Sequence, residues 1–164
     1  MSKPIVSLAI IVATCLVNVT AQDLSDPWGK FQTRTMNELV AQAASSVSPF
    51  DGTTVLVTTQ FLPSKVKLTY AGKSRKVSSE TKSFVQQWVK TVAHHPRLLK
   101  LFDKEMLFTD GSSQYWLPVP NKGPNYETAI QANERVTLYV TVIGIQRSAD
   151  ETRCFFVVNN FERG

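Results

Sequence analysis

The chain has 164 residues, of which 43% are hydrophobic and 19% charged. That balance excludes a disordered, collagen-like or coiled-coil chain, and the length suits one domain with a sizeable core. The formal net charge of +5 is modest, and the lysines lack the interleaved aromatics of a single-strand nucleic-acid platform, so no nucleic-acid partner is expected.

At the N-terminus Lys3 precedes an apolar run from Pro4 to Val17, followed by Asn18-Val19-Thr20-Ala21. A positive charge, a short apolar core and small residues at a cleavage site predict a secretory signal peptide. Val19 and Ala21 suit positions −3 and −1, so residues 1–21 are expected to leave and 22–164 to remain as a single secreted or periplasmic domain. The run is short for a bilayer crossing, and no second apolar segment reaches that length. A lipoprotein signal with Cys15 as the lipidated residue is the alternative, and Thr14 before it fits poorly. Either way Cys154 is the one cysteine beyond the leader region, which excludes an internal disulfide. In a strand it reads as a small buried hydrophobe; a catalytic thiolate there would need a nearby base.

Asp26-Pro27 resembles a helix N-cap with proline at the first position, and Met36, Leu39, Val40, Ala43 and Val47 then recur at helical spacing up to Ser48-Pro49. Thr53–Phe61 and Lys65–Tyr70 alternate as strands and are expected to pair antiparallel, with Pro63 limiting the ladder. The segment from Ala71 to Val77 reads as a basic, glycine-containing loop. Lys65, Lys67, Lys73, Arg75 and Lys76 read as a solvated hairpin edge, where lysines discourage strand-to-strand association. Ser78 or Ser79 caps the next helix, with Glu80 in its first turn. Phe84, Val85, Trp88, Val89 and Val92 give that helix a wide apolar face, and Trp88 is assigned to the core.

His94-His95-Pro96 breaks this helix, and Pro96 opens a shorter one. Adjacent histidines do not share a helix face, so they lack the i, i+4 spacing of a helical metal site. No metal ligand and no cofactor site is assigned. Glu105–Thr109, Asp110-Gly111 and Ser113–Val119 form a hairpin, with Asp-Gly suited to a type I′ turn. Tyr115, Leu117 and Val119 share one face and Trp116 the other. Pro118 and Pro120 make this strand an edge or an exit. Tyr126, Ala129 and Ile130 suggest one or two helical turns.

The last third is the centre of the fold. Arg135–Gln146 and Thr152–Phe161 read as long strands joined by a polar turn. Val136, Leu138, Val140 and Val142 form one face, opposite Tyr139 and Ile143, and Gly144 suggests a bulge. The second strand is apolar on both faces, so both should be covered. Asn159 and Asn160 are assigned to local turn and backbone chemistry rather than to a ligand. The fold class is α+β: a small curled, mostly antiparallel sheet with packed helices, whose closed version would be an OB-like or SH3-like barrel.

The words Leu107-Phe108, Tyr115-Trp116-Leu117-Pro118-Val119, Val136-Thr137-Leu138-Tyr139-Val140 and Phe155-Phe156-Val157-Val158-Asn159 resemble small exported bacterial proteins of uncharacterised function that share a hairpin–spacer–hairpin pattern. The resemblance spans residues 64–162 and implies no functional residue.

No phosphate-binding glycine loop, nucleophile elbow, Cys-x-x-Cys, His-Glu-x-x-His or calcium loop is present in the sequence. Asp103, Glu105, Asp110 and Glu127 read as solvated carboxylates at element ends. No catalytic residue is assigned. The expected function is a non-catalytic binding domain for a small molecule or an envelope protein, with Tyr115, Trp116 and Tyr139 as the candidate ligand-binding residues. One alternative is a small extracytoplasmic hydrolase using His94 or His95. The other is a structural or assembly component of the cell envelope, joined through the Ser113–Val119 edge.

Overall fold

Two long strands, the second apolar on both faces, form the spine of the computed structural model, which describes residues 28–47, 54–57, 62–123, 125–147 and 151–163. The expected leader, its cleavage point and Asp26-Pro27 lie outside the described residues. In chain order the elements are β1 (Gln32–Thr33), α1 (Met36–Ser45), β2 (Thr54–Val57), β3 (Ser64–Lys76) and α2 (Ser79–Trp88). There follow a π-helical turn, Val89–Ala93, and a 3₁₀ turn, Pro96–Lys100. The chain continues with β4 (Lys104–Asp110), β5 (Ser113–Val119), α3 (Tyr126–Ala129), β6 (Arg135–Arg147) and β7 (Thr152–Arg163).

The seven strands make one mostly antiparallel sheet. β7 pairs along the length of β6 on one side. On the other side β2 and β3 lie end to end: Thr54–Val57 opposite Gly144–Arg147, then Ser64–Thr69 opposite Arg135–Val140. The two were expected to pair with each other. They are instead two pieces of one interrupted edge, because a single long strand, β6, offers hydrogen-bonding groups to both. β1 adds a short parallel ladder to Ser64 and Lys65, and β4 and β5 continue the sheet beyond β3.

The segment expected as a basic loop is strand. β3 runs on to Lys76 through a bulge, at which the four steps from Tyr70 to Ser74 oppose the two from Phe108 to Met106. Gly72 takes φ +71° there, and a Cβ on it would lie 2.8 Å from the Ala132 Cβ. Its backbone freedom and missing side chain are both used. The basic residues sit where β3 is paired on one side only, Lys67 to β6 and Arg75 and Lys76 to β4, so the solvated-edge expectation holds for a strand rather than a loop.

Each face of the sheet has its own core. On the inner face α1 (Met36, Leu39, Ala43) and α3 with Ile130 pack against Val66, Leu68, Met106, Phe108, Leu117, Val136, Leu138, Val140, Val142, Phe156 and Val158. On the outer face Phe84, Val85, Trp88 and Val89 pack against Ile143, Phe155 and Val157. Phe84 stacks on Phe155 with ring centroids 3.7 Å apart. Both faces of the central hairpin are thus covered, as its doubly apolar pattern required. The bulge near Gly144 lies between Val142 and Gly144, and a second, at Asn159, opens between Tyr139 and Val140. Asn159 Nδ2 donates to Thr141 Oγ1 at 2.8 Å, so this asparagine serves its own bulge.

Local chemistry sets the helix ends. α1 is capped by Thr35 in a reciprocal box: Glu38 N donates to Thr35 Oγ1 at 3.2 Å and Thr35 N to Glu38 Oε2 at 2.8 Å. The Glu38 carboxyl is held below its usual range, chiefly by the Thr35 backbone N–H. Ser78 caps α2 by accepting from Thr81 N at 3.1 Å. The β4–β5 turn is centred on Gly111-Ser112, one residue later than expected, because Asp110 pairs with Ser113. Glycine comes first with φ +59° and Ser112 does not share a positive φ, which is the chemistry of a II′ turn rather than I′.

Candidate functional site

The sheet curls but does not close. Its two outermost strands, β5 and β7, approach each other without any ladder between them. A barrel is therefore not formed, and a seam is left along β5 and β7. A cavity of about 320 Å³ lies in that seam, roofed by the first turn of α2. This is near the lower end of small-ligand sites.

The sheet register builds its wall. Arg75, Glu105 and Pro118 sit in one row across β3, β4 and β5, and Trp116 is paired with Leu107 one step along. Glu105 was expected to be a solvated strand-end carboxylate. It is instead 0% exposed, because the curl folds the hairpin and α2 over this row. Arg75 Nε donates to Glu105 Oε1 at 2.6 Å, and the same guanidinium lies 3.9 Å over the Trp116 ring. Among the described residues, Glu105 Oε2 has no hydrogen-bond partner. At the mouth Arg153 of β7 grips Glu80 of α2 through two bonds, 2.6 and 2.8 Å long.

Two of the three candidate aromatic residues, Tyr115 and Trp116, line this cavity. The Tyr115 hydroxyl reaches Asn37 Oδ1 at 3.4 Å. The third, Tyr139, is elsewhere and only 1% exposed. Trp28 and Phe31 pack against it with centroid distances of 5.1 and 5.3 Å, and its hydroxyl donates to Glu162. Burial, reinforced by that bond, raises its pKa. The segment entering β1 covers this part of the outer face, which no pattern within β6 foretells.

Cys154 also borders the cavity, and burial pushes its thiol up to about 11. At neutral pH it is a thiol, not a nucleophile. His94 and His95 are both exposed, at the helix break. His94 closes the π turn in left-handed conformation, φ 50°, and borders a separate apolar hollow with Val89, Pro96 and Leu99. Among the described residues no side chain hydrogen-bonds to either imidazole, and no cluster of three metal-ligating side chains occurs. No described helix is long and apolar enough to cross a membrane.

The buried Arg75–Glu105 pair was missed from sequence. Reading residues 71–77 as a loop removed the register that sets these two opposite each other. Compared with known protein families, curated proteins and solved structures, the chain matches none.

Proposed function

We propose that this protein is an exported, non-catalytic binding domain whose ligand site is the cavity in the β5–β7 seam. One observation carries it: a fully buried carboxylate, Glu105, held beside Arg75 by the strand register, lines a cavity bordered by Tyr115 and Trp116. Burying a carboxylate is costly unless it is paired, and here Arg75 supplies the pairing at the cavity wall. The aromatic wall supplies contact area and the carboxylate supplies orientation, the usual division in small-molecule sites. Export rests on the leader pattern of residues 1–21.

A hydrolase built on His94 or His95 needs an acid or hydroxyl partner beside the imidazole, and the described structure offers none. An assembly role through β5 needs an accessible edge, and here β7 runs alongside that edge.

The test is an NMR fragment screen on the purified protein. Fragments should move the Trp116 indole and Tyr115 ring signals while leaving Trp88 and Tyr139 unchanged. Fragment hits confined to the hollow beside Leu99, with Trp116 silent, would refute the site. N-terminal sequencing of exported material tests cleavage after Ala21.

A further inference from the structure

We infer that the helix break between α2 and β4, away from the seam, docks the protein on an anionic lipid surface, with Leu99 and the hollow beside it taking up the apolar part of a lipid. From Thr81 to Phe102 the chain carries Lys82, Lys90, Arg97 and Lys100 and not one acidic residue. All four cations are exposed, and none forms an ion pair among the described residues. The flanking carboxylates are engaged elsewhere: Glu80 is held by Arg153, and Asp103 acts on Lys104. Leu99, 43% exposed, is the one large hydrophobic side chain left exposed among the described residues. It borders a hollow of about 500 Å³ whose other walls are Gln86, Val89, Lys90, His94 and Pro96. An exposed apolar group of this kind marks a contact surface when it adjoins a patch rather than standing alone.

Local geometry gathers these groups. Lys82, Gln86 and Lys90 follow at four-residue spacing, so one stripe of α2 and its π continuation brings cations to the wall of the hollow. In the 3₁₀ turn residues three apart eclipse. Pro96 and Leu99 therefore share the edge that borders the hollow, and Arg97 and Lys100 share the next edge. Between the two walls stand the π turn and the left-handed His94, conformations that cluster at functional sites.

The chemistry of the walls selects the occupant. Gln86, Lys90 and His94 are the polar residues among the six, and the surface they leave to the hollow is mainly apolar. A peptide would bring a backbone N–H and C=O at each residue, and no strand edge lines this hollow to pair them. An acyl chain brings no such groups, and an anionic headgroup above it meets the cations at the rim. An apolar side chain flanked by lysine and arginine is the composition of an interfacial lipid anchor.

The experiment is co-sedimentation of the purified protein with two vesicle preparations, phosphatidylcholine alone and phosphatidylcholine mixed equally with phosphatidylglycerol. The mixed vesicles should bind at least about tenfold more tightly, and added salt should remove the difference. Lys90→Gln and Arg97→Gln should each weaken binding to them roughly fivefold through the loss of one cation at the surface. Leu99→Ser should weaken it at least about fivefold through lost apolar burial. All three side chains are exposed, so these variants should keep the urea midpoint of the unaltered protein. Lys67→Gln, a charge change on β3 outside the segment and the hollow, should shift binding by less than about twofold. Equal binding to both preparations, as the apolar Pro4–Val17 run alone would give, would overturn the lipid assignment. Charge variants that weaken binding while Leu99→Ser does not would overturn the part given to the hollow. Failure to bind either preparation would overturn the whole, and polyglutamate moving the His94 and Leu99 NMR signals would then give this face to an acidic protein partner.

Discussion

Replacing Arg75 by methionine should destabilise the protein by about 3 kcal/mol, although the arginine itself is half exposed. The pair is asymmetric: one member stands in solvent, and the other is buried with only one of its oxygens paired. Removing a partner from a buried ion pair typically costs about 3–5 kcal/mol because the remaining charge is stranded. The half exposure of Arg75 puts the pair's share below that range, at about 2–2.5 kcal/mol, and loss of its contact with Trp116 adds roughly 0.5–1 kcal/mol. Glu105→Met removes the buried charge as well as the bond, so it should cost only about 1 kcal/mol or less. In the double variant the stranded charge never arises, so it should be less stable than Glu105→Met alone only by the roughly 0.5–1 kcal/mol of the lost Trp116 contact. Urea unfolding followed by far-UV circular dichroism gives the four free energies of this cycle. The expected coupling is about 2–3 kcal/mol. Additive effects, or an Arg75→Met cost below about 1 kcal/mol, would show that Glu105 does not carry a buried charge dependent on Arg75.

Gly72→Ala should cost about 1–2 kcal/mol, since alanine must hold a left-handed backbone and its Cβ meets Ala132 at 2.8 Å. Adding Ala132→Gly relieves the clash but not the backbone, so thermal or urea unfolding should show partial recovery only. Thr35→Ala removes one half of the α1 capping box and should cost about 1 kcal/mol, whereas Thr35→Ser should be nearly neutral. Cys154, with its thiol pushed up to about 11, should react with iodoacetamide at pH 7.5 roughly two orders of magnitude more slowly than an ordinary cysteine. The same shift has a stability consequence. The folded thiol holds its proton above the pH where the unfolded one, with its ordinary value near 9, releases it. The contribution is complete below pH 9 and is lost as pH rises toward 11. Tyr126, raised by burial to about 12, acts in the same direction from pH 10 upward. Unfolding midpoints at pH 8 and 10.5 should therefore fall less for Cys154→Ala than for the unaltered protein.

The parts of the fold visible in the sequence were those with a strong local period. The alternation of Val136, Leu138, Val140 and Val142, and the two apolar faces of the strand after Arg153, are enough to require a central hairpin covered on both sides. Ser78 with Glu80 was enough to start α2. Thr35-Met-Asn-Glu38 is also a capping box, but Asp26-Pro27 competes with it as a helix start upstream, and only the short β1 ladder to β3 shows that the chain is still extended at Gln32. Non-local facts were out of reach. Nothing in Thr54–Val57 says that its partner is β6 rather than β3. Glycine at position 72 argues for a loop, and only pairing of Ser74–Lys76 with β4 makes it a bulge within a strand. That one misreading hid the site, because Arg75 and Glu105, 30 residues apart, become neighbours through the register beyond the bulge.

The seam itself has a physical cause. Pro118 gives β5 no backbone N–H at the position opposite Glu105, and its ring is incompatible with a central strand. Across the gap, β7 is pulled out of uniform register by the bulges near Gly144 and Asn159. Two strands that approach under these conditions cannot exchange a regular ladder, so side chains fill the gap instead, and Trp116 and Phe155 both border the space that remains. A β-branched residue at position 118 would restore the missing donor. The sheet could then close further, and the cavity lined by Glu105 would shrink. The same proline that makes β5 a poor edge for association therefore keeps the seam beside Glu105 open.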